Sequence, residues 1–109
     1  MEKGENMREN TIEQNLIKQV KKLGGMALKF VSPGTTGVPD RIVILPGGII
    51  FFAELKRPGG APRKRQGLMI RRLKELGAAA FVIDSKEKVE KVLQEITEEE
   101  VVQNEIRST

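Results

Sequence analysis

Apolar residues recur along this chain in two rhythms. Ile12, Leu16, Val20 and Leu23 fall at helical spacing and predict an amphipathic helix. It is expected to begin at Asn10 or Thr11, because Asn10 with Glu13 and Thr11 with Gln14 have capping-box spacing; residues 1–9 read as a frayed terminus. Gly24-Gly25 stops that helix, and Met26 to Val31 has the composition of a first strand. Ile42 to Leu45 and Ile49 to Lys56 read as two further strands, joined antiparallel by a tight Pro46-Gly47-Gly48 turn. Helical spacing returns in Gln66, Met69, Ile70, Leu73 and Leu76, predicting a helix from Pro62 to Leu76 with Gly77 as its stop. Ala78 to Ile83 is a fourth strand, and Val89, Val92, Leu93 and Ile96 mark a last helix introduced by Asp84 and Glu87. Beyond Thr97 the rhythm weakens into an acidic segment, 98–109, in which Val101, Val102 and Ile106 stand apart as apolar residues. The expected class is α/β, in the order α-β-β-β-α-β-α, with a mixed four-stranded sheet flanked by helices in one domain over 10–97.

The pattern breaks at two acids. Side chains alternate along a strand, so Ile50, Phe52, Glu54 and Lys56 share one face and Ile49, Phe51, Ala53 and Leu55 the other. Both faces are mostly apolar, as in a strand covered on two sides. Asp40 opens the preceding strand, and Glu54 interrupts the end of this one. With the turn centred near Gly47, both acids stand seven residues from it, which places them on neighbouring strands about 5 Å apart. Carboxylates that close repel one another and lose hydration, and a divalent cation held by Asp40 and Glu54 would compensate both costs.

Composition narrows the chemistry. The 109 residues contain no Cys and no His, which excludes disulfides, thiolate or imidazole zinc sites and any imidazole base. Catalysis would have to use carboxylates, lysine or a metal with oxygen ligands. The polar first residues resemble no signal peptide and no apolar run is long enough for a membrane span, so a cytoplasmic chain is expected. The net charge of +4 hides an asymmetry: 56–74 carries Lys56, Arg57, Arg63, Lys64, Arg65, Arg71, Arg72 and Lys74 without one acid, whereas 84–109 is predominantly acidic. A local basic surface suits a polyanion such as nucleic acid, although a solvated helix face is the plainer reading.

Three features stay open on the residues alone. Glu13 sits beside the stripe of the first helix, aimed along the core edge toward a site or serving as a first-turn acid that favours the helix dipole. Gln66, at the near end of a buried stripe and one short loop after Lys56, could order a water or a phosphate, or be a half-exposed glutamine at a helix start. The loop Ser32 to Pro39 joins hydroxyls, glycines and prolines directly before Asp40; it is a phosphate contact or a connector with turn chemistry, and it lacks the Gly-Lys-Ser/Thr ending of a nucleotide-binding P-loop.

Gly37-Val38-Pro39-Asp40 followed by Glu54-Leu55-Lys56 resembles the PD-(D/E)XK nuclease signature, and the compact order of elements is similar to the virus-type replication-repair nuclease (VRR-NUC) family over about residues 10–95. The resemblance implies a restriction-endonuclease-like core and a DNA endonuclease, from a phage or a bacterium, acting in the host cytoplasm. It implies that Asp40, Glu54 and the Leu55 carbonyl bind Mg²⁺ or Mn²⁺, that Lys56 orients or activates the attacking water, that Glu13 completes the acidic site, binding metal as well, and that Gln66 supports it. Related nucleases often carry glutamine-x-x-x-tyrosine on this helix, whereas Ile70 follows Gln66 here. Arg57, Arg63, Lys64, Arg65, Arg71 and Arg72 are the expected DNA contacts. Small stand-alone members imply a homodimer acting on branched DNA such as Holliday junctions, with Val101, Val102, Ile106, Phe51 and Leu45 as candidate interface residues. Two other readings remain, a catalytically inactive nucleic-acid-binding module of the same fold and a small interaction domain joined through its acidic end; clustered acids give a phosphate binder no advantage.

Overall fold

The computed structural model describes the backbone of residues 2–108 and the side chains of residues 8–98. The order of elements is α1 (Glu2–Lys22), β1 (Met26–Lys29), β2 (Arg41–Leu45), β3 (Ile49–Leu55), α2 (Lys64–Glu75), β4 (Ala80–Ile83) and α3 (Lys86–Ser108). The sheet runs β1-β2-β3-β4, with β1, β2 and β3 antiparallel in turn and β4 parallel to β3 after the crossover through α2. The α/β class, the element order and the mixed sheet are those expected.

Several bounds differ from expectation, each for a local reason. α1 begins at Glu2, so Asn10 and Thr11 lie inside the helix and the stretch 1–9 is helical from Glu2 onward; no proline interrupts residues 2–22, and capping-box residues are also tolerated within a helix. α3 likewise continues through 98–108, where neither glycine nor proline intervenes. α2 starts at Lys64 with Arg63 as its N-cap, leaving Pro62 outside. Leu23 and Leu76 lie just past the ends of their helices and are 46% and 67% exposed, so neither joins its stripe. β1 ends at Lys29, although the Phe30 amide still donates to the Asp40 carbonyl at 2.9 Å.

The core lies on one face of the sheet, where Val43, Leu45, Phe51, Ala53, Leu55 and Ile83 meet Ile12, Leu16 and Val20 of α1 and Val89, Val92, Leu93 and Ile96 of α3. Phe51 and Phe81 pack edge to face within it, their ring centroids 5.5 Å apart. The other face carries Glu54. Val82 pairs with Glu54 and shares a cavity with Ile70 of α2, so α2 covers this face at β4. It does not extend over β1 and β2. There the register aligns Met26, Ile44 and Ile50 in one row and Leu28, Ile42 and Phe52 in the next, with Met26, Leu28 and Ile50 about half exposed. The expectation that the hairpin is covered on both sides therefore holds only near Glu54. Phe51 and Leu45, expected at a dimer interface, are buried in the core instead. The side chains of Val101, Val102 and Ile106 lie outside the described residues. Among the described residues no helix is long and apolar enough to cross a membrane.

Candidate active site

The hairpin brings the two acids together. Leu45 pairs with Ile49 across the turn, and the ladder continues to Arg41 and Ala53, which makes Asp40 and Glu54 the next opposed positions. Each carboxylate accepts a hydrogen bond from the opposite strand: the Leu55 amide donates to Asp40 Oδ2 at 2.9 Å, and the Asp40 amide donates to Glu54 Oε1 at 3.2 Å. This reciprocal exchange closes the ladder with side chains where backbone pairing stops.

The second oxygen of Glu54 has a different environment. Oε2 is buried, and among the described residues the group that compensates it is the Lys56 ammonium, 3.2 Å away as an ion pair. Burial of a side chain only 1% exposed raises the Glu54 pKa, the neighbouring Asp40 charge raises it further, and Lys56 and the Asp40 amide work in the opposite direction. A buried carboxylate oxygen left in this state, beside a second carboxylate, fits a hard divalent cation. Asp40 and Glu54 are the side chains here that could hold one.

Lys56 ties the acids to α2. Its ammonium donates to Gln66 Oε1 at 3.0 Å, and the same oxygen accepts the Arg63 amide at 3.0 Å, so Gln66 caps its own helix while holding Lys56. The structure thus brings Asp40, Glu54, Lys56 and Gln66 into one connected group.

Glu13 is not part of it. Its Oε2 accepts from Arg41 Nε at 3.0 Å, and Arg41 also donates to the Ala27 carbonyl at 3.2 Å. Among the described residues no third acid joins Asp40 and Glu54 in a metal-sized cluster. Arg41 is a residue that sequence reasoning missed. The available signal was a charged residue on the strand face shared by Val43 and Leu45, at a position where period-two alternation calls for an apolar one.

The basic residues border the site unequally. A cavity of about 390 Å³ opens between the loop and the start of α2, lined by Thr36, Gly37, Arg63, Lys64, Arg65 and Gln66. Arg65 donates to Thr36 Oγ1 at 3.1 Å. Gly37 has φ of +83°, and a Cβ there would stand 2.9 Å from the Arg65 carbonyl oxygen, so glycine lets the loop close onto α2. Arg57 is exposed on the loop before α2. Arg71 and Arg72 lie farther along the helix, each 3.8 Å from Glu75.

No family model matches the chain. It is similar to a protein named "Putative nuclease p44" from Acyrthosiphon pisum secondary endosymbiont phage 1, with 49% identity over 81 residues, 74% of this chain and 87% of that protein. Among solved structures it resembles a VRR-NUC domain with a TM-score of 0.76 and 32% identity, over 80% of this chain and 95% of that one.

Proposed function

The chain belongs to the VRR-NUC family, and on that footing we propose that it is a metal-dependent DNA endonuclease selective for branched substrates such as Holliday junctions. The observation that carries the metal-dependent chemistry is the buried Glu54 carboxylate, opposed to Asp40 and paired with the Lys56 ammonium at 3.2 Å. A Mg²⁺ or Mn²⁺ ion held by Asp40, Glu54 and the Leu55 carbonyl would polarise the phosphate and offset the charge that builds on its oxygens.

The chain's own residues do the remaining work. The Lys56 ammonium has three donors. Gln66 takes one, the Glu54 contact occupies a second direction, and the third orients the water that attacks phosphorus as one P–O ester bond breaks. Gln66 keeps that ammonium in place, and its bond to the Arg63 amide makes the position rigid. Glu13 acts here as a positioning group: through Arg41 it anchors the start of β2, one residue from Asp40. Arg63, Lys64 and Arg65 hold the strand's phosphates beside the site, with Arg57, Arg71 and Arg72 on its approaches; such contacts add affinity without reading sequence.

A homodimer working in a bacterial cytoplasm completes the reading, since two sites related by a twofold axis match a junction with paired strands to cut. The apolar rows of β1 to β3, with Met26, Leu28 and Ile50 exposed, are the surface such a dimer would cover. Incubation with labelled linear duplex, flap, single-stranded and four-way-junction DNA, with Mg²⁺, Mn²⁺ or chelator, tests the function. Metal-dependent cleavage favouring the junction is expected; binding without cleavage under every metal condition would leave the inactive module instead.

A further inference from the structure

We propose that the outer face of α2 is a second contact surface for branched nucleic acid, with Leu68 as an apolar wedge that packs against bases left unstacked at a branch point. This rests on the nuclease reading above for the identity of the substrate. Leu68 is 56% exposed, and its four helical neighbours at i−4, i−3, i+3 and i+4 are Lys64, Arg65, Arg71 and Arg72, all of them exposed. A single exposed leucine is ordinary, but one whose helical neighbours are all cations, of which Arg65 also reaches Thr36 on the loop, has no packing partner among them within this chain. α2 instead packs through Ile70, whose side chain is 6% exposed. Among the described residues Glu75 is the acid that opposes these charges, at 3.8 Å from Arg71 and from Arg72.

Charge complementarity names the occupant. Cations on both sides of an apolar centre, Lys64 and Arg65 toward the site and Arg71 and Arg72 beyond it, match a ligand whose phosphates flank apolar faces, which is a nucleic acid with a base step opened. Direction then selects the kind of nucleic acid. Gln66 is turned inward onto Lys56, and Leu68, two residues on, lies about 200° further round the helix. A substrate that reaches the carboxylates past the start of α2 and also lies on its outer face must bend or branch. Driving a wedge into a continuous stack must unstack a base step, whereas a branch point is already open. The same leucine therefore favours branched over linear DNA without reading any base.

The test is equilibrium binding in chelator, so that no cleavage is needed, using a four-way junction and a linear duplex of matched sequence, with 2-aminopurine at the branch. Leu68→Ala is expected to weaken junction binding about tenfold, the scale of one lost base contact, and duplex binding less than about twofold. It should also abolish the change in 2-aminopurine fluorescence, while Leu68→Met retains both properties. Melting curves of the variants check the fold; substitution at an exposed site should leave them unchanged. Equal losses on junction and duplex, or none, would overturn the proposal. So would a Leu68→Ala protein that loses self-association instead, since the face would then belong to a protein contact. A junction-selective loss in a protein that never cleaves would retain this inference and reject the nuclease reading, and cleavage indifferent to Leu68 would do the reverse.

Discussion

Glu54 is the costliest residue of the proposed site, because a buried carboxylate beside a second acid is expensive without a cation to compensate it. Its carboxyl pKa lies above the ordinary value of 4.5, chiefly from burial and then from the Asp40 charge. An acid whose pKa rises on folding contributes stability that is fully present below 4.5 and is lost as pH climbs through the folded value. Metal-free protein should therefore lose stability as pH rises from 4.5 toward neutrality. Glu54→Gln removes the ionisation while keeping the shape, so in chelator it should melt higher than the parent at pH 7. At pH 4 the difference should vanish. Thermal melts across pH check this, and curves that run parallel at every pH would mean that Glu54 ionises without penalty. Added Mg²⁺ should stabilise the parent and leave the variant unmoved.

At the scale of elements, the hairpin was legible and the helix ends were not. Counting outward from Gly47 placed Asp40 opposite Glu54 because register in a hairpin follows from the turn and from alternation, both of which are local. The start of α1 escaped because capping-box residues occur within helices as well as at their ends, and nothing before Asn10 forbids helix. The place of Glu13 escaped for another reason. Whether it reaches the carboxylate pair or turns to Arg41 depends on a contact 28 positions away in sequence, which helical periodicity does not encode. The link from Gln66 to Lys56 was legible as proximity after one short loop, whereas its second bond to the Arg63 amide needed the observed start of α2. This element has its own prediction. If α2 meets phosphates along its length, Arg71→Ala with Arg72→Ala should lower the slope of log affinity against log salt by about two. Filter binding or fluorescence anisotropy over a salt series measures that slope, and an unchanged one would place the DNA elsewhere.

The whole molecule is asymmetric in cover: α1 and α3 bury one face of the sheet, and α2 shields the other only at β4. This division puts Glu54 under cover and leaves the apolar rows around Ile50 open, a distribution that alternation in β3 did not reveal because Ile50 and Glu54 share one face. If those rows join two copies, Ile50→Lys should convert a dimer into a monomer in light scattering at micromolar concentration and leave the melting temperature of the monomer nearly unchanged, since the side chain is 53% exposed. A parent protein that is already monomeric would remove the dimer while the carboxylate site stood. That site is tested most directly by single-turnover cleavage of an end-labelled four-way junction in Mg²⁺, comparing the parent with Asp40→Asn. The parent should cut and stop cutting in chelator, and the folded variant's rate should fall at least about a thousandfold, about 4 kcal/mol of barrier; an Asp40→Asn protein that cuts at the parental rate would contradict a metal site at the carboxylate pair.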